Sequence, residues 1–171
     1  MLQAGLAFLL LLGYKPVMGI TNLSDGRKYK IVIDNNLPEH VLPVYLAYAG
    51  SKLVARQEFH SKHPNENFYA ETITEELDAY QAAVDVWTEL RQKNPTTADK
   101  KLDYLVSLNS AGYLEPFVMD EYRERFPQEY KKWISSNRAK LRKYRVWKNR
   151  QGDVPGDINL DTHVLVTPEA M

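Results

Sequence analysis

The sequence predicts a mainly α-helical fold: a compact bundle of about five short-to-medium helices with one or two short terminal strands. Apolar residues recur at helical spacing between residues 38 and 147, broken by Pro and Gly where helices should end. Alternating β-branched runs occur only near the two ends of the chain. The connections are short, as expected for antiparallel neighbours in a bundle.

The first element is a leader. Ala4 to Gly13 is an uncharged, Leu-rich run. It is about half the roughly 20 residues that span a bilayer as a helix, and it suits the apolar region of a secretory signal peptide. Val17-Met18-Gly19 gives a tolerable cleavage pattern. Residues 1–19 therefore read as a signal peptide, and the protein as secreted or periplasmic; an uncleaved membrane anchor is the alternative. The first residues carry no Lys or Arg, and Lys15 and Pro16 interrupt the run before the cut. Asn22-Leu23-Ser24 fits an N-glycosylation acceptor just beyond it.

Residues 20–150 form the expected helical domain. It opens with Lys28 to Asp34 (KYKIVID), a short strand followed by Asn35-Asn36 turn chemistry. The first helix runs from Pro38 to about Lys62. Glu39 sits in its first turn and Pro64 supplies a stop. Gly50 inside it costs up to ~1 kcal/mol relative to Ala. A hairpin turning at Ala49-Gly50-Ser51 is the competing reading.

The second helix has the clearest pattern. Thr72 and Glu75 make a capping box. Ile73, Leu77, Tyr80, Val84, Trp87 and Leu90 then form one apolar stripe, which Asn94-Pro95 ends. A third helix starts at Thr96 or Thr97 and stops at Gly112, which suits a left-handed C-terminal position. The fourth opens at Leu114-Glu115-Pro116 and reaches Phe126. The fifth, roughly Gln128 to Trp147, carries Tyr130, Trp133, Ile134, Leu141 and Tyr144 on one side. Residues 151–171 form an acidic C-terminal segment: a Gly/Pro-containing loop, then Thr162 to Thr167 as a strand that is able to pair with Lys28–Asp34.

The 171 residues suit one domain of ordinary size. With no cysteine in the chain, there is no disulfide framework, no Cys-ligated metal centre and no thiol nucleophile. The 22 Lys and Arg balance 22 Asp and Glu, so the chain is not globally charged. The charges are nevertheless segregated. Between Pro64 and Leu90 lie Glu66, Glu71, Glu75, Glu76, Asp78, Asp85 and Glu89, with no basic residue. Between Lys131 and Arg150 lie nine basic residues and no acidic one. Two readings follow. The acidic second helix neutralises the basic fifth, or the fifth helix docks an anionic partner.

Catalytic patterns are sparse. No nucleophile elbow, Gly-rich phosphate loop or dinucleotide fingerprint occurs. Adjacent carboxylates such as Glu75-Glu76 point in different directions on a helix. His60, His63 and Glu66 are a weak candidate zinc set: two imidazoles three apart with a carboxylate nearby. They lack the i, i+4 spacing of metalloproteases. A helix C-terminus bearing histidines is the plainer interpretation.

The leading expectation is an exported, non-enzymatic helical protein with no cofactor. Its site is the basic face of the last helix: Lys131, Lys132, Arg138, Arg142, Lys143 and Arg145, with Trp147 as an aromatic anchor. Its partner is a protein or an anionic membrane or envelope component; the leader argues against nucleic acid. A small metal-dependent hydrolase centred on His60 and His63 and a structural subunit of a complex are the alternatives.

Overall fold

The computed structural model describes residues 14–16, 21–22, 28–156 and 158–168, with side chains from residue 28 onward. The expected leader, residues 1–19, lies outside the described residues except for 14–16; Asn22-Leu23-Ser24 lies outside them except for Asn22. The fold is mainly helical, with five α-helices and a small antiparallel sheet among the described residues. The chain divides into two units, residues 71–158 and the remainder.

The first unit is built on the sheet. Its strands are β1 (Tyr14–Pro16), β2 (Thr21–Asn22), β3 (Lys28–Asp34) and β4 (Val164–Pro168). β3 is the organising strand. It pairs antiparallel with β1 through Val32–Asp34, with β2 through Lys28 and Tyr29, and with β4 from Tyr29 to Ile33. The expected joining of the two chain ends is therefore present, with Ile31 opposite Val166. β3 is buried at Tyr29, Ile31, Val32 and Ile33. Three consecutive buried residues mark a strand covered on both faces.

Helix α1 (Leu42–Lys62) follows a 3-10 turn at Glu39–Val41. The helix thus begins later than Pro38, and Pro43 occupies its first turn, where its missing N–H costs nothing. The hairpin alternative is not formed. Val44, Tyr45, Tyr48, Ala49 and Leu53 make the buried stripe, and α1 packs on β3 and β4. Arg56 fixes the far end. Its guanidinium donates to the Val166 carbonyl at 2.9 Å and lies between the Tyr29 and Tyr69 rings.

The second unit holds α2 (Ile73–Lys93), α3 (Lys100–Ser110), α4 (Leu114–Glu121) and α5 (Pro127–Arg150). The Thr72 capping box forms with both of its bonds. The next donor, the Ile73 N–H, is taken by Glu129 Oε2 of α5 at 3.0 Å. α3 starts after Asp99, whose carboxylate accepts from the Leu102 N–H at 2.9 Å; Thr97 lies in the preceding turn. Its other end is a Schellman motif. Gly112 has φ +75°, and the Tyr113 N–H reaches back to the Leu108 carbonyl.

α2 packs on α3 and α4, while α4 is the main helical neighbour of α5. Trp87 donates to Asp103 at 2.8 Å, and the Tyr80 and Tyr122 hydroxyls are 3.2 Å apart. Ala83, Val84, Leu105, Leu108, Phe117 and Val118 fill the core between them. α5 runs three residues beyond the expected Trp147. Its one irregularity is Asn137, at φ −122° and ψ 15°. The Asn137 amide donates to the Trp133 carbonyl at 2.9 Å, so a side chain enters the backbone ladder and kinks the helix.

The candidate docking face of helix α5

Two sides of α5 carry different charge chemistry. The inner basic residues are neutralised by α4. The Lys140 ammonium pairs with Glu115, whose other oxygen accepts from the Trp133 indole at 2.9 Å. Burial pushes the Glu115 carboxyl up, but the Lys140 and Trp133 hydrogen bonds outweigh it and hold the group below its ordinary value. Arg145 donates to Asp120 at 2.7 Å, and that bond raises its already high pKa. Lys148 lies 3.6 Å from Glu121.

The carboxylates that meet α5 thus come from α4. Carboxylates at the start of α2 are directed elsewhere: Arg125, in the turn before α5, pairs with Glu71, two residues before the helix, and lies 3.5 Å from the fully buried Glu76 of α2. The expected pairing of the acidic second helix against the basic fifth is not what neutralises α5.

The outer side of α5 is different. Lys131, Lys132, Arg138, Arg142, Lys143 and Arg145 are all exposed. Among the described residues, the first five form no ion pair. α5 is about 36 Å long at 1.5 Å per residue, so these cations cover an extended strip. Trp147 is half-buried, 6.0 Å from the Tyr104 ring and 5.5 Å from Tyr113. Its role is partly packing, although its edge still reaches the surface.

Two shallow hollows flank the ridge formed by Arg142 and Val146. One, of about 310 Å³, is lined by Ile134, Leu141 and the guanidinium-bearing Arg138 and Arg145. The other, of about 330 Å³, is lined by Tyr113, Lys143, Trp147 and Arg150. Val146 is 45% exposed. The sequence does not single it out, because one Val among basic residues breaks no pattern.

The histidine set is not assembled. His60 is buried and hydrogen-bonded through Nε2 to the Tyr29 hydroxyl at 3.1 Å. His63 is the residue after the last turn of α1, with φ −130° and ψ 64°. It therefore leaves the helical path that would align it with His60. It stacks on Phe59 and meets Glu66 at 3.3 Å in solvent. Among the described residues, no group of three His, Asp or Glu is arranged to hold a metal ion. No helix among them is long and apolar enough to cross a membrane.

No protein-family model, curated protein or solved structure matches the chain.

Proposed function

We propose that this is an exported, non-enzymatic binding protein that docks an anionic partner, a protein or an envelope surface, on the outer face of α5. The observation that carries this is the set of five exposed cations with no carboxylate partner, on a helix whose inner cations are paired. Basic residues near an anionic surface contribute about 1 kcal/mol each, and their sum is enough for reversible docking. Exposed intramolecular pairs contribute only roughly 0–1 kcal/mol each. The fold therefore loses little by leaving these cations to a partner.

Charge reversal tests this reading. The variant Arg138→Glu, Arg142→Glu, Lys143→Glu should lose binding to vesicles containing phosphatidylglycerol and to the partners that the unaltered chain retains. Its far-UV circular dichroism and melting curve should be unchanged. Unaltered binding by a folded variant would sink the proposal.

Export rests on the Leu-rich run from Ala4 to Gly13. Mass spectrometry of the natural N-terminus should find a start at or near Ile20; an intact Met1 would remove the export component. Cleavage there would take β1 away, leaving β3 with β2 and β4.

A further inference from the structure

The arrangement of the α5 cations narrows the partner's chemistry. Lys131, Arg138 and Arg145 are each seven residues apart, and so are Lys143 and Arg150. Between these two rows run Ala139, Arg142 and Val146 at spacings of three and four. From Arg138 to Arg150, beyond the Asn137 kink, α5 is regular. It exposes Ala139, Arg142 and Val146 there, with a hollow on each side of the Arg142–Val146 ridge. A narrow seam with charged rows on both sides at heptad spacing is the layout by which one helix selects another.

We propose that the occupant of this face is an acidic amphipathic helix. Its carboxylates would face Arg138 on one side, beside the Arg145 that Asp120 already holds, and the Lys143/Arg150 row on the other, and its apolar side chains would enter the two hollows. The proposal rests on the docking reading above and names its partner. Complementarity decides the sign. Both rows are basic, so a second copy of α5 would meet like charge and an acidic helix the opposite one. The seam decides the shape. Ala139 permits close approach of a helix, whereas a bilayer would be gripped by bulky apolar residues at the centre of the face. That centre holds Ala139, Arg142 and Val146 instead.

The experiment titrates the full chain with four probes at one salt concentration. These are a three-heptad helical peptide with Leu on its seam and Glu on both flanks, a scrambled peptide of the same composition, phosphatidylcholine vesicles doped with phosphatidylglycerol, and single-stranded DNA. The amphipathic peptide should bind at least about tenfold more tightly than its scramble. Ala139→Tyr, which changes no charge and blocks the seam, should abolish that preference. Equal binding of peptide and scramble, an unaffected Ala139→Tyr variant, or a preference for vesicles or DNA would overturn the acidic-helix partner while leaving a docking face in place. Loss of no binding at all on reversing Arg138, Arg142 and Lys143 would overturn the docking reading itself.

Discussion

His163 Nδ1 lies 3.0 Å from Asp34 Oδ2, joining residues 129 positions apart at the edge of the β3–β4 ladder. The other Asp34 oxygen accepts from the Asn36 N–H at 2.9 Å. The same carboxylate thus closes the turn after β3 and holds the 3-10 turn before β4. Tyr45 of α1 meets the imidazole edge-on, its ring centroid 5.8 Å away. One small cluster therefore ties helix, strand and C-terminal segment.

The first prediction follows from that carboxylate. Burial works to raise the Asp34 pKa, but the Asn36 N–H and His163 outweigh it and leave the group below its ordinary value. A lowered folded-state pKa contributes stability that is fully present above the unfolded value, about 3.9. It is lost as pH falls through the folded value. Asp34→Asn should cost about 1–2 kcal/mol at pH 7, and the difference from the unaltered chain should shrink under acid conditions. Urea melts across the acid range, followed by near-UV signals of the first unit, read this directly.

Gly50 is a site of easy stabilisation. It lies inside α1, and a Cβ added there meets nothing within 4 Å. Ala is better than Gly in a helix interior by about 0.8–1 kcal/mol. Gly50→Ala should raise the denaturation midpoint accordingly with no change in slope. A loss of stability would mean that the position serves a close approach the folded chain does not display.

The start of α2 should respond to two substitutions on different helices. Thr72→Ala removes the Oγ1 acceptor of the Glu75 N–H, one of the two bonds of the box, and should cost about 1 kcal/mol. Glu129→Ala removes the acceptor of the Ile73 N–H and should cost about 0.5–1.5 kcal/mol. Because Thr72 Oγ1 accepts from the Glu75 N–H and Glu129 from the Ile73 N–H, both free donors of the first turn of α2, the double variant should depart from additivity. A double-mutant cycle by chemical denaturation measures the departure.

Local signals were legible and long-range ones were not. The Thr72 box and the Gly112 stop could be read from the sequence because each is completed within a few residues of its cap. α3 starts after Asp99 and not at Thr96 or Thr97, a choice the sequence leaves open because Thr and Asp both cap helices; it depends on where the Asn94–Thr97 turn ends. His60 looked like an exposed helix end because its partner, Tyr29, lies on a strand 31 residues earlier. The basic strip of α5 was visible as composition. Which carboxylates neutralise its inner side depends on α4 packing beside it, and no spacing rule encodes that choice.

Asp120 offers a way to tune the docking face from beneath. Its carboxylate accepts from Arg145 at 2.7 Å and from Arg123 at 3.1 Å, and its side chain is 11% exposed. Asp120→Asn removes one negative charge under α5 and loosens Arg145 from the helix surface. Two effects then compete. The fold should lose about 1 kcal/mol with the charge-assisted bonds. The outer face gains net positive charge, so affinity for the acidic three-heptad peptide should rise by up to about fivefold at low ionic strength. Added salt should erase this gain, since the gain is electrostatic and lies at the surface. Weaker binding by the Asn variant would mean that Asp120 holds Arg145 in the orientation the partner meets, and the row Lys131, Arg138, Arg145 would then depend on α4 for its alignment.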